Sequence, residues 1–267
     1  MSAEPADSPG AAIDDGDKGP APTGLPRLQV IHLMLWMAAT AVAFLPYQIQ
    51  RQTQIRMSPG AATFAQSVSA TAMSTMSGLA AGSYLFVAAA LWFWKRRGRT
   101  FRLQPGHWFA FEGVGHWIMA TGTWLLLIAS EGPPFGAFPL FMFPRLIVGF
   151  IFFFCFMRLA LRSQEPPRWR WTFAATALSP VATWLLTMAA AFTVGMQGRV
   201  GAFMIPNAAA AAVMTLFFLF AMSGDWRRHA NRHWSHWLGA GMRLAVLAAS
   251  AVMYTYYSLN PLAITGN

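Results

Sequence analysis

The chain has 267 residues, of which 56% are hydrophobic and 10% charged, with a formal net charge of +10. A soluble domain carries about 25% charged residues, so this composition excludes an ordinary soluble domain and points to a membrane protein. The basic excess would suggest nucleic acid on a soluble chain, but it falls mainly in short connections between apolar runs, so no nucleic-acid partner is expected.

Residues 1–26 are rich in Ala, Pro, Gly and Asp. They carry Glu4, Asp7, Asp14, Asp15 and Asp17 against one lysine, Lys18. Such a segment cannot bury enough apolar surface to fold, so a disordered cytoplasmic tail is expected. It lacks the basic start and apolar core of a signal peptide, and the first apolar run is read as an uncleaved anchor.

Residues 27–267 hold seven candidate spans, at about Leu28–Gln48, Ser69–Trp94, Trp108–Ser130, Pro139–Leu161, Trp171–Met196, Val200–Met222 and Trp237–Leu259. Each approaches the ~20 apolar residues needed to cross a bilayer. Lipid offers no partner to backbone polar groups, and strand-like alternation is missing, so an all-α polytopic transmembrane helix bundle is predicted. Residues 49–68 are left without a structural assignment, because a polar start from Gln48 to Arg56 precedes the turn-like "MSPG".

Orientation follows from the cations. Lys95, Arg96, Arg97, Arg99 and Arg102 lie between spans two and three. Arg162, Arg168 and Arg170 lie between four and five, and Arg227, Arg228 and Arg232 between six and seven. The opposite connections hold Arg51, Arg56 and Arg199. Basic connections stay cytoplasmic, so the amino end is expected inside and the carboxyl end outside an inner (plasma) membrane. Partners expected on this basis are the bilayer itself and anionic headgroups at the basic face. A homo-oligomer or a larger membrane complex is also open. Ala70, Ser74, Gly78 and Gly82 recur every four residues, a small-residue face for packing inside the bundle or for a dimer. Pro144, Pro180 and Pro206 each remove a backbone donor within a span.

Ionisable residues inside spans are costly and mark candidate sites. His32 and Glu112 each lie roughly 6 Å into their spans and Arg243 roughly 9 Å. His116 is one turn beyond Glu112 on the same helix face. These four are expected to converge as a polar cluster in the cytoplasmic half of the bundle, with Glu112 neutralised by Arg243. His32 and His116 are also the candidate axial pair for a b-type heme, with depths that differ by roughly 6 Å.

A second group lies in "DWRRHANRHWSHW". Were that stretch helical, Asp225, His229, His233 and His236 would share one face, and neutral imidazoles at this spacing can hold zinc or nickel. His107 at the same membrane face is a candidate fifth member. The alternative is a plain interfacial turn of Arg and Trp against lipid heads. The lone Cys155 excludes an intrachain disulfide. No H-E-x-x-H, phosphate loop or G-x-S-x-G occurs, and both lysines lie outside the spans, so no retinal-type Schiff base is expected. The favoured expectation is a non-catalytic binding, sensing or accessory component. The alternative is a cofactor- or metal-dependent membrane enzyme, or a heme electron carrier using the histidines.

Overall fold

The computed structural model describes residues 29–57, 64–98, 101–129, 138–194, 199–228 and 232–259. These form seven α-helices: α1 (Val30–Met57), α2 (Phe64–Arg96), α3 (Pro105–Ala129), α4 (Phe138–Arg162), α5 (Pro167–Val194), α6 (Arg199–Arg227) and α7 (Trp234–Leu259). No strand occurs among the described residues. Among the described residues, five helices, α1, α2, α5, α6 and α7, are long and apolar enough to cross a membrane by length and composition.

The helices outrun the apolar windows of the sequence. α1 continues past Gln48 to Met57, and α2 starts at Phe64. Gln and Arg are good helix formers, so the hydrogen-bond ladder persists after apolarity ends. Pro46, Pro180 and Pro206 lie within continuous helices. Neighbouring helices let a membrane helix tolerate the missing donor.

Successive helices run up and down. One end of the bundle gathers the starts of α1, α3, α5 and α7 and the ends of α2, α4 and α6. Contacts between Trp94, Gln104, His233 and Trp234 tie three of these termini together. Arg170 on α5 donates to the carbonyl oxygens of Ala160 and Leu161 at the end of α4, which lack helical partners. The described cations of the three basic connections belong to this end, called here the basic end.

α3 and α7 are central: α7 packs on α2, α3 and α6, and α3 also touches α1 and α4. α1 is peripheral, packing on α2 and, less, on α3. Its outer face exposes Val30, Leu33, Met34, Met37 and Leu45, as a lipid-facing helix does. The largest buried side chains, Phe109, Phe156, Trp169, Phe173 and Phe218, form one aromatic group between α3, α4, α5 and α6. All five lie within about three turns of the basic end, with ring centroids as close as 4.6 Å between Phe109 and Phe218. Lipid gives little hydrophobic drive for helices to associate, so this dense packing supplies the dispersion attraction that holds them.

Two close approaches fix the register. A Cβ on Gly106 would strike the His236 carbonyl, and one on Gly239 would strike the Gly106 carbonyl, so the α3 and α7 backbones touch. Gly82 meets the Thr40 backbone, and Gly78 meets the Phe44 ring, which brings α2 onto α1. Ser74 is half-buried on the same helix, and the Ala70 side chain lies outside the described residues.

Candidate functional site

Two buried carboxylates organise the polar residues. Glu112, on α3, is 6% exposed. Its Oε1 accepts from Arg243 Nη2 on α7 at 2.9 Å and stands 3.7 Å from His116 Nε2 one turn along α3. Its Oε2 and Arg243 Nε have no hydrogen-bond partner among the described residues. The Tyr84 ring of α2 lies against Gly113 beside this pair.

Asp225 closes α6 and is fully buried. Oδ1 accepts from Arg168 Nη2 on α5. Oδ2 accepts from Trp169 Nε1 at 2.7 Å and from Arg232 Nε at 3.0 Å. Arg232 also reaches Glu165 Oε2 at 2.8 Å, and Glu165 stands 3.8 Å from Arg102. One acid thus joins the connection before α7 to α5 and α6, and a second extends the network to the connections before α3 and α5. Charge-assisted bonds of this kind exceed neutral ones in strength, and the desolvated acid is offset only because each oxygen is filled.

The histidines do a third thing. His107 is the third residue of α3, and its Nδ1 accepts from the Gln104 N–H just before the helix, at 3.1 Å. His32 does the same for Gln29 N–H at the start of α1, at 3.0 Å. Both reproduce the reciprocal half of a capping box, with imidazole in place of the usual Glu or Gln. His236, the third residue of α7, instead accepts the Gly106 N–H of α3 at 2.9 Å. His233 precedes α7 and accepts from Ser235 N–H at 3.2 Å. In every case Nδ1 is the acceptor, so the ring proton belongs on Nε2. A directed chain follows: His107 Nε2–H donates to Ser235 Oγ at 2.8 Å, and Ser235 O–H donates to His233 Nδ1 at 2.6 Å.

Neutrality suits that chain. Burial, followed by His233 and Arg232, pushes His107 down to about 4. Burial, followed by His32, pushes His233 down to about 4. A helix amino terminus also disfavours a cationic ring.

The sequence-selected residues therefore separate into distinct places. Glu112, Arg243 and His116 stand together. His32 stands elsewhere, at the start of α1 with its ring centroid 6.0 Å from Trp234. His32 and His116, the heme candidates, have different partners and sit two and eleven residues into their helices.

The stretch carrying Asp225, His233 and His236 is not one helix. α6 ends at Arg227 and α7 begins at Trp234, so the acid and the imidazoles approach from two helices. His236 Nε2 is 3.7 Å from Asp225 Oδ2, and His107 and His233 meet at Ser235. His229 lies outside the described residues. Among the described residues, no three His, Cys, Asp or Glu side chains gather as a metal-ligand set.

Sequence reasoning missed Arg168, Trp169, Glu165, Arg232 and Ser235 as partners. Single-chain hydropathy carries no signal for them. It also passed over a legible one: "QVIH" and "QPGH" share the Gln-x-x-His spacing that places an acceptor at the third position of a helix.

No protein-family model matches the chain, and neither curated proteins nor solved structures give a match.

Proposed function

We propose that this is a seven-span protein of the inner membrane, amino end in the cytoplasm and carboxyl end outside. In this reading it serves as a non-catalytic binding, sensing or accessory component. The observation that carries the reading is the gathering of alternate helix termini, with their arginines, at one end of the bundle. Cytoplasmic retention of basic connections gives that end its side. The chemistry of the buried groups supports a non-catalytic role. Asp225 is committed to two arginines and an indole, Glu112 to Arg243, and the imidazoles to helix starts. The exposed cations Lys95, Arg96 and Arg97 at the end of α2 suit contact with anionic headgroups, at about 1 kcal/mol per cation near such a surface.

Cysteine labelling tests the reading. In a Cys155→Ser background, Gly98→Cys and Asn267→Cys are exposed in turn to an impermeant maleimide on intact cells. Labelling of the second and protection of the first is expected. Equal labelling of both would reject the seven-span arrangement.

A further inference from the structure

The rim of the bundle where α1, α2 and α7 meet carries an apolar groove beneath a group of nitrogen-bearing rings. A lateral apolar groove of about 320 Å³ runs between α1 and α2, lined by Trp36, Met37, Thr40, Ala41, Phe44 and Leu79. His32, Trp36, Thr40 and Phe44 follow one another at four-residue intervals, so they form one ridge of α1 with His32 at its head. Trp36 Nε1 donates to Ser83 Oγ at 2.9 Å and holds the groove's upper wall to α2.

Above that wall sit three rings. Trp234 stacks on Phe86 of α2 at 5.4 Å and lies 6.0 Å from His32 and 5.2 Å from His233. Two of the three, His233 and Trp234, carry an N–H with no acceptor among the described residues. His233 Nε2 and Trp234 Nε1 are buried and unpartnered among the described residues, and His233 is only 6% exposed. His233 engages α7 through its Nδ1 edge, so its Nε2 edge faces away from the first turn of that helix, and the ring lies against Trp94 and Trp234. His32 gives its Nδ1 to Gln29 and keeps its proton on Nε2. The positive ends of the α1 and α7 dipoles meet at this place. Lys95, Arg96 and Arg97 are exposed at the adjoining end of α2.

Donors without acceptors above an apolar slot describe a headgroup over a chain. We propose that a glycerophospholipid of net negative charge binds here, its phosphate oxygens at His32, His233 and Trp234 and one acyl chain between α1 and α2. The phosphate accepts from the buried His233 and Trp234 N–H groups and from His32 at the rim, and unsatisfied buried donors are otherwise costly. The groove volume falls at the small end of ligand sites, enough for part of one chain rather than a whole lipid. The site differs from general attraction at the basic face, which any exposed cation provides. It rests on the reading that the chain spans a membrane.

Native mass spectrometry of the detergent-purified full chain tests the proposal. The probes are dioleoylphosphatidylglycerol, dioleoylphosphatidylcholine and inorganic phosphate. The intact protein is expected to retain the anionic lipid about fivefold more than the zwitterionic one. Ala41→Trp, which fills the groove, is expected to lower retention of both lipids about fivefold. His32→Ala, at a half-exposed position, is expected to keep the bound chain and lose most of the preference for negative charge. Millimolar inorganic phosphate is expected not to displace the lipid, because it makes none of the acyl contacts.

Equal retention of the two lipids by the unaltered protein would overturn the proposal. So would unchanged preference in His32→Ala, or full displacement by phosphate. If Ala41→Trp does not fold, the lipid comparison and His32→Ala still decide. A protein recovered from membranes that fails these arms refutes the lipid site alone, whereas recovery from the soluble fraction refutes the membrane reading as well.

Discussion

Asp225 and Glu112 are both carboxylates buried among apolar helices, and each faces an arginine on another helix. Asp225 has both oxygens filled by three donors from α5 and from the connection before α7. Glu112 has one oxygen filled, the other unpartnered among the described residues, and a cation that is 22% exposed. The difference teaches that pairing alone does not define a lock. Asp225 ties α5, α6 and the approach to α7 into one unit at the basic end. Glu112 joins only α3 and α7, and Arg243 retains a route toward the bundle surface through its long stem.

The comparison breaks most visibly at Asp225. Asp225→Asn leaves Arg168 and Arg232 desolvated beside a neutral amide. Removing one partner of a buried pair costs about 3–5 kcal/mol, so the detergent-solubilised protein is expected to melt much earlier or not to fold. A melting curve like that of the unaltered protein would mean that Asp225 is not the joint described.

Acid is expected to act next most strongly, and through the same end. His107 and His233 stay neutral in the folded state, with values held near 4 against 6.5 in the unfolded chain. In that window the unfolded state binds more protons, so stability is complete above pH 6.5 and falls as pH drops toward 4. For His107 the full effect is about 3 kcal/mol. Melting temperatures measured from pH 7.5 to 4.5 should fall along that course, and His107→Gln should flatten it. A profile unaltered by that substitution would remove the imidazole caps from the account.

Glu112→Gln should be milder than Asp225→Asn, at about 1–2 kcal/mol, because Arg243 can turn outward and the amide still accepts one bond. If it proves as damaging as Asp225→Asn, the contrast between the two acids disappears. His116→Ala should be the smallest change. Its 3.7 Å approach to Glu112 comes from a half-exposed ring, and exposed pairs at this spacing contribute about 0.5 kcal/mol or less. A double-mutant cycle of Glu112→Gln with His116→Ala would measure that coupling directly.

Much of this architecture is legible in the residues. Low charge and long apolar runs require helices, and the alternation of arginine-rich connections predicts which termini share an end. The pairing of Glu112 with Arg243 could be anticipated, because a buried acid requires a cation and the two lie at similar depth. The Asp225 junction could not. Its donors come from separate connections, and which helices become neighbours is set by small contacts such as Gly106 on Gly239, invisible to hydropathy. Depth alone also grouped His32 with Glu112, whereas α1 is peripheral and its first turn faces Trp234. Continuous helical spacing through residues 225–236 would give one histidine face, but α6 ends at Arg227 and α7 begins at Trp234, so the described residues of this stretch serve two helices.

The side of the membrane on which the basic end lies is the claim that supports the rest. A periplasm-active phosphatase fused after Asn267, compared with the same enzyme fused after Gly98, measures it. High activity at Asn267 with little at Gly98 is the predicted result; activity at Gly98 without activity at Asn267 contradicts the account.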